Sequence, residues 1–278
     1  MQHLQILIVG ATGQQSTATI AALLKATTKQ KSPASPAFSI LTLTHSAASP
    51  KAIALKQKFP EVTFVEGSTR APEPLFSAHP DITSIFLVTV PPDEEPHFAS
   101  KHNIELHLRS ATANATATAR SSKTRWTILR PTGFMDNYGA PTAFGRTMAA
   151  LWATMLPDRA IQLVSVRDIG LFAAKALLHP DAWAGRAVGL AGDELTFDQA
   201  REVYRRTMGH EMPRTWTVVG RVVRWAVAEA GDSMKWFEDV GFGVDIAKLR
   251  AEEPDLLDFG GWLEYSKECQ NGQPVSLR

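Results

Sequence analysis

Apolar and polar positions in the first half of the chain follow two alternating patterns. Residues 4–9 (LQILIV) are almost continuously apolar, which predicts a strand buried on both faces of a parallel sheet. Residues 14–26 place Ile20, Leu23 and Leu24 on one face of a helix. The same patterns then predict the strands FSILTLTH, VTFVEG and SIFLVTV and the helix AIALKQKF. Because strands alternate with helices, the sequence predicts an α/β fold with a doubly wound parallel sheet.

The second half continues this alternation and then becomes mostly helical. A buried strand is predicted from Trp126 to Arg130, and Pro131 ends it. Asp168 is predicted to cap the helix IGLFAAKAL, because an aspartate in that position accepts hydrogen bonds from the first N–H groups. A later helix, FDQAREVYRRTMG, is predicted to end at Gly209.

The C-terminal third carries large apolar residues at helical spacing, which favours packing in a core. If some of them face a cleft instead, they indicate a bulky apolar ligand. These residues are Trp225, Met234, Trp236, Phe237 and Phe242. The stretch beyond Gly260 is polar, so we expect it at the periphery.

Composition narrows the classes of protein that this chain can represent. Its 278 residues suffice for one large α/β domain with a smaller appendage. A net charge of +1 gives no electrostatic case for nucleic acid. Cys269 is the single cysteine, which excludes an intrachain disulfide and indicates a reducing compartment. Neither a signal pattern nor an apolar run of membrane-spanning length is present, so we expect a cytoplasmic protein that does not bind membranes.

The turn after the first predicted strand has the spacing of a phosphate-binding loop. It reads GATGQQS, in which Gly10 would form the tight turn and Gly13 would let the backbone approach a pyrophosphate. Thr12, Gln14 and Gln15 complete the candidate dinucleotide-binding residues at the helix start, where the amides and the helix dipole favour negative charge.

Ser16 stands where this pattern normally has its third glycine. That glycine allows the helix to pack closely against the strand. Serine adds a small side chain only, so we expect looser packing and a retained phosphate site.

Six segments carry a wider resemblance: GATG, SPKAIAL, HFASKHNIELHL, WTILRPTGFMDN, SVRDIGLFAAKAL and AGDELTFDQAREVYRRTMG. Together they cover most of residues 4–210 and resemble the NmrA-like group of atypical short-chain dehydrogenases/reductases. The resemblance implies a Rossmann domain at 1–165 that binds NADP(H) or NAD(H). It also implies a smaller region at 166–278, interleaved with the first, that closes over a substrate cleft. Some members reduce small organic molecules, and others bind dinucleotide as regulators without turnover.

Residues after the second predicted strand bear on the choice of dinucleotide. Where many NADP-binding members of the family have arginine, this chain has His45, whose neutral ring gives one donor and little charge. Lys51 can supply a cation for the 2′-phosphate, or it is a solvated lysine at a helix start. No acidic residue ends the strand, so the usual contact that favours NAD is also missing. We expect NADP(H) rather than NAD(H), with loss of any functional cofactor as the alternative.

The interval between the fourth strand and HFASKHNIE is unusually short. It contains only PPDEEP, where the family has a helix and a further strand ending in hydroxyl residues, so one usual sheet strand is predicted to be missing. By the same resemblance, Lys101 matches the lysine that holds the ribose, and His97 stands four residues earlier in place of the catalytic tyrosine. An imidazole can act as a general acid near neutral pH, or His97 is a surface residue.

The segment WTILRPTGFMDN is expected at the carboxyl end of a strand, where open parallel sheets bind ligands. By resemblance, Pro131 and Gly133 pass near the nicotinamide, and Phe134 and Met135 line the substrate side or pack in the core. The candidate substrate-binding residues are Phe134, Met135, Asn137 and Trp236.

Three functions remain open. The first is an NAD(P)H-dependent reductase of a small, largely apolar substrate, with Lys101 on the ribose and His97 or water supplying the proton. The second is a non-redox isomerase or cyclase that uses His97 or Asp136 for acid/base chemistry. The third is a dinucleotide-sensing regulator without turnover. No metal-ligand spacing and no nucleophile elbow is present in the sequence.

Overall fold

The computed structural model describes residues 3–29, 37–89, 97–113 and 125–270. The chain divides into two compact units. Unit one comprises Met1–Ile128 and Ile169–Arg186, and unit two comprises Leu129–Asp168 and Ala187–Arg278. The two units are therefore interleaved along the chain.

Strands and helices alternate along most of the chain. The strands are β1 (Leu4–Val9), β2 (Phe38–Thr44), β3 (Thr63–Glu66), β4 (Ile82–Phe86), β5 (Thr127–Pro131), β6 (Gly133–Phe134), β7 (Ile161–Val164), β8 (Arg186–Leu190) and β9 (Asp193–Leu195). The helices are α1 (Gln14–Lys29), α2 (Pro50–Lys58), α3 (Glu73–Ala78), α4 (His97–Ala113), α5 (Ala143–Trp152), α6 (Val166–Leu178), α7 (Pro180–Trp183), α8 (Phe197–Met208), α9 (Thr217–Ala226), α10 (Ala228–Asp239), α11 (Ile246–Glu252) and α12 (Phe259–Gln270).

The sheet of unit one has the parallel order β3-β2-β1-β4. Alternate residues of β1 enter the cores on its two faces. Ile6 and Ile8 pack with α1, α2 and α6, whereas Leu7 packs with the helix α3 through Leu75. Helices on both faces of a parallel sheet confirm the predicted α/β, doubly wound fold class.

The outer edge of β4 carries no paired strand in the described part of the chain. Ile85 and Leu87 are 48% and 56% exposed. This agrees with the predicted loss of the next strand, because a missing neighbour leaves apolar strand residues in solvent. The strand is also shorter than predicted from SIFLVTV, and the PPDEEP interval lies outside the described residues.

Unit two is built around a core in which the large aromatic residues Tyr138, Trp152, Tyr204 and Phe259 pack with aliphatic and methionine side chains. Its sheet has the order β6-β7-β9, in which β7 and β9 are antiparallel. A separate pair of strands, β5 and β8, contains two of the three positions where the chain passes between the two units, and the third lies in α6.

Helix α8 begins and ends as its sequence predicts. Thr196 and Gln199 form a capping box at its start, and Gly209 ends it with a φ of 78°. The left-handed conformation at Gly209 is one that a residue with a Cβ rarely adopts, so this glycine stops the helix.

Two expectations about the C-terminal third were wrong. Trp225 is 86% exposed, although Met234 and Phe237 belong to the core of unit two as predicted. The polar segment beyond Gly260 is not peripheral, since Trp262 and Leu263 of α12 are buried in the same core. Most other residues beyond Gly260 are polar, so the average hydropathy of this segment is low although one face of α12 is buried.

Helices α5 and α9 approach each other closely at Gly220. A Cβ built on Gly220 would lie 2.2 Å from the carbonyl oxygen of Ala150, a backbone atom that cannot move aside cheaply. We expect Gly220→Ala to lower the free energy of unfolding by about 1–3 kcal/mol through overpacking. Urea unfolding followed by circular dichroism measures this change.

The matched control is Val222→Ala, two residues further along α9, where the side chain is 54% exposed. We expect it to change stability by less than about 0.5 kcal/mol. Equal midpoints for the two variants would contradict the close packing at Gly220.

Candidate functional site

The loop between β1 and α1 has the geometry of a phosphate-binding turn. Gly10 has a φ of 69°, and its carbonyl accepts a 2.9 Å hydrogen bond from Gly13 N–H. A Cβ on Gly13 would lie only 3.2 Å from that carbonyl oxygen. The turn therefore favours glycine at position 10 through its positive φ, and the exposed backbone at Gly13 is open to a ligand.

The start of α1 offers free N–H groups beside this turn. The helix begins at Gln14, and its first turn holds no acidic residue. Thr12 and Gln14 are exposed, and Gln15 is half-buried. First-turn N–H groups have no acceptor within the helix and lie at the positive end of its dipole, so this end of α1 suits an anion.

Ser16 fits the position of the third glycine without strain. Its side chain is buried, and its Oγ donates a 3.1 Å hydrogen bond to the Val9 carbonyl at the end of β1. Close packing of α1 is found two residues later, where a Cβ on Gly170 of α6 would lie 2.4 Å from the Ala18 carbonyl carbon. The substitution thus adds a hydrogen bond to the strand end and leaves the turn intact.

A second part of the candidate site lies at the carboxyl ends of β2 and β3. A cavity of about 370 Å³ is lined there by His45, Glu66, Gly67, Ser68 and His79, among others. In this class of sheet the adenosine ribose of a dinucleotide binds at the end of the second strand.

Lys51 lies in the first turn of α2, six residues after His45, which lines this cavity. The Oγ of Ser49 accepts a hydrogen bond from Ala52 N–H and caps the helix. Lys51 is exposed in the first turn. This position is compatible with both interpretations that the sequence left open, a contact to phosphate or a solvated lysine.

The two candidate catalytic residues of unit one lie on α4. His97 is the first residue of that helix, and its side chain lies outside the described part of the structure. Lys101 follows one turn later and is half-buried. Four residues separate the two positions along α4, which is about one helical turn.

The segment after β5 belongs to unit two and is held by backbone contacts. The backbone N–H and the hydroxyl of Thr132 both donate to the Leu190 carbonyl, at 3.1 and 2.9 Å. Pro131 ends β5, and Gly133 and Phe134 form β6, paired with β7. A Cβ on Gly133 would meet a Leu163 methyl at 3.0 Å, which explains the glycine by packing alone.

The candidate substrate-binding residues have different environments. Met135 is fully buried in the core of unit two, which favours the packing interpretation. Phe134 and Asn137 are half-buried. Trp236 is half-buried and makes edge contacts with Phe242 at a ring distance of 5.0 Å. Three of the four therefore keep some accessible surface.

Asp136 has a structural contact that the sequence did not reveal. Its carboxylate accepts a 2.9 Å hydrogen bond from Val166 N–H, the first residue of α6. Burial raises the pKa of this carboxyl, although hydrogen bonds from Val166 and the Trp262 side chain oppose the rise. A carboxylate engaged in this way holds the start of α6.

The prediction that Asp168 caps α6 was wrong. The capping residue is Ser165, three residues earlier. Ser165 precedes α6, and its Oγ accepts from Asp168 N–H at 3.0 Å while donating to the Asp168 carboxylate at 2.6 Å. Asp168 is fully buried, pairs with Arg167 and accepts from Leu257 N–H at 3.1 Å. Burial raises its pKa, against the effect of the Arg167 charge. Its role is to hold the loop before α12.

Among the described residues, no group of three or more histidine, cysteine, aspartate or glutamate side chains could hold a metal ion. None of the helices in the described ranges is long and apolar enough to cross a membrane.

A parallel sheet in the order β3-β2-β1-β4, with a glycine turn between β1 and α1, defines the Rossmann class of α/β folds. The model of the NmrA-like family matches residues 89–257, which is more than half of the chain. The chain therefore belongs to the NmrA-like family. No curated protein sequence matches it.

Three solved structures illustrate the shared fold. NmrA, a negative transcriptional regulator in complex with NAD, is 15% identical with a TM-score of 0.60, and 99% of each chain is covered. The NADPH-dependent quinone oxidoreductase QOR2 from Escherichia coli is 18% identical with a TM-score of 0.64, over 94% of this chain and 99% of that one. The triphenylmethane reductase of Citrobacter sp. is 16% identical with a TM-score of 0.61, over 94% and 98%. At these identities the similarity establishes the fold.

The buried Asp168 cluster gives a testable expectation. Asp168→Asn removes the charge that pairs with Arg167, whose side chain is 16% exposed. Because a buried cation loses its partner, we expect the free energy of unfolding to fall by about 2–4 kcal/mol. Denaturant unfolding at neutral pH measures the change.

The control is Asp198→Asn, since the Asp198 side chain is 74% exposed beside Arg201. We expect a change below about 0.5 kcal/mol there. An equally small change in the free energy of unfolding for Asp168→Asn would show that the contacts of Asp168 do not hold the loop before α12.

Proposed function

We propose that this protein is an NAD(P)H-dependent reductase of a small, largely apolar organic molecule. The observation that carries the proposal is the intact glycine turn at Gly10 and Gly13, opening onto an α1 start without acidic residues. This geometry suits a pyrophosphate and has no comparable role in packing. The reductases QOR2 and triphenylmethane reductase share the fold, which supports the proposal at the level of analogy.

The bound dinucleotide would supply a hydride to an electrophilic carbon of the substrate. The turn and the first amides of α1 hold the pyrophosphate, and the cavity beside His45 receives the adenosine. Lys101 would hold the nicotinamide ribose, as the resemblance to the family implies. His97 or a water molecule supplies the proton to the carbonyl oxygen, or to the adjacent carbon of an olefin.

Phe134, Asn137 and Trp236 are the substrate-contacting residues of this proposal. Two aromatic rings and one amide favour an apolar molecule that presents a single polar group. We expect no nucleic acid partner, since the chain carries a net charge of +1.

A dinucleotide-sensing regulator is the second candidate. It is favoured by the histidine at the position of the catalytic tyrosine and by the engagement of Asp136 with Val166 N–H. The same contact removes support from the isomerase or cyclase alternative that relied on Asp136. Whether the dinucleotide is consumed distinguishes the reductase from the regulator.

Calorimetric titration with NADH, NADPH and their oxidised forms tests dinucleotide binding. We expect binding in the micromolar range, and a loss of at least about 100-fold in Gly13→Asp. The new carboxylate would stand beside Gly10 O, where the pyrophosphate approaches, so like charges repel in a confined space.

Gln57→Glu adds the same charge at an exposed position near the far end of α2, and we expect it to bind as the unmodified protein does. Absence of binding by every dinucleotide would exclude both the reductase and the regulator. Binding without oxidation of the reduced form across quinones, ketones and activated olefins would favour the regulator.

A further inference from the structure

Glu66 places a carboxylate at the end of β2, although it belongs to β3. The two strands are in parallel register with Thr44 opposite Glu66, so their carboxyl ends lie side by side. Glu66 Oε1 accepts a 2.7 Å hydrogen bond from Ala47 N–H, in the loop that follows β2. The side chain therefore crosses from one strand to the loop of its neighbour.

The hydrogen bond from Ala47 N–H determines the position of the Glu66 carboxylate. Ala47 lies three residues beyond Thr44, and the bond to its N–H holds the carboxylate within the β2–α2 loop. Oε2 makes no hydrogen bond to the described residues, and Glu66 also lines the cavity with His45 and Ser68. One carboxylate oxygen is thus fixed by the loop, and the other is available to a ligand.

The ribose that bears the 2′ group of a dinucleotide binds at this end of the second strand. A carboxylate there accepts hydrogen bonds from ribose hydroxyls and repels a 2′-phosphate. The sequence reveals no acidic residue at the end of β2, because the group that occupies the place comes from β3.

The surrounding charges do not provide a phosphate clamp. Among the described residues, the lining of the cavity contains no lysine and no arginine, and its side chains other than Glu66 include His45 and His79. Lys51 and Arg70 are the cations closest in sequence to the two strand ends, and both are exposed. Neither cation forms an ion pair with Glu66 among the described residues. Glu66 is exposed as well, so water and salt screen all three charges.

We propose that Glu66 selects the dinucleotide, by accepting a hydrogen bond from the adenosine ribose of NAD(H) and repelling the 2′-phosphate of NADP(H). The inference rests on the proposed function, because it concerns the same dinucleotide site. It reverses the NADP(H) preference expected from the sequence. Glu66 acts on affinity for the adenosine end, and it has no role in hydride transfer.

The test compares the dissociation constants of NADH and NADPH for the unmodified protein and for Glu66→Gln. Glutamine keeps an oxygen that can accept from Ala47 N–H, so the loop stays in place while the charge is lost. We expect the unmodified protein to bind NADH about tenfold more tightly than NADPH, given one carboxylate near a doubly charged phosphate in partly solvated surroundings. In Glu66→Gln we expect the ratio of the NADPH dissociation constant to the NADH dissociation constant to fall to about one, chiefly through tighter binding of NADPH.

Glu61→Gln is the matched control, because Glu61 is exposed and precedes the amino end of β3, whereas Glu66 is at its carboxyl end. We expect it to leave the ratio unchanged. Circular dichroism spectra and urea midpoints of the two variants show whether the loop contact survives.

The outcomes separate this inference from the proposed function. Equal binding of NADH and NADPH, a preference of the unmodified protein for NADPH, or an unchanged ratio in Glu66→Gln would overturn the role of Glu66 alone. Failure of both dinucleotides to bind either protein would overturn the proposed function, and the role of Glu66 with it.

Discussion

The hydrogen bond from Ser16 Oγ to the Val9 carbonyl is the contact on which the candidate site of unit one depends. It holds the first turn of α1 against the end of β1, so that the turn at Gly10 and the free amides of the helix face the same opening. A glycine at this position would allow the close approach, but it would supply no donor for the last carbonyl of the strand. Ser16 therefore links the first turn of α1 to the end of β1. The departure from the glycine pattern is compatible with an intact site.

Local signals in the sequence were sufficient for the fold of unit one. The apolar run at 4–9 and the helical spacing of Ile20 and Leu23 each reflect burial of one element against its neighbours, and such burial is periodic. The shortened interval after β4 was visible as missing residues, and the exposed Ile85 shows its physical effect. Trp225 was misassigned because helical spacing identifies an apolar face without showing whether anything covers it.

The contacts that sequence reasoning missed join residues that are distant along the chain. Glu66 reaches Ala47 across a strand pair, and Asp136 reaches Val166 at the start of another element. Asp168 was recognised as part of a helix start, but its bond to Leu257 spans 89 positions. No local pattern encodes such partners, because they are set by which segments the tertiary fold brings together. The positions of candidate residues were therefore easier to predict than their chemical roles.

The interleaving of the two units has a consequence for the order in which this protein is made. The core of unit one includes Ala174 and Leu178 of α6, which are synthesised after the whole first segment of unit two. A ribosome that has translated only the first 128 residues has released a sheet without one of its covering helices. The apolar surface that α6 covers in unit one therefore stays exposed in the nascent chain until the residues up to Leu178 have been synthesised.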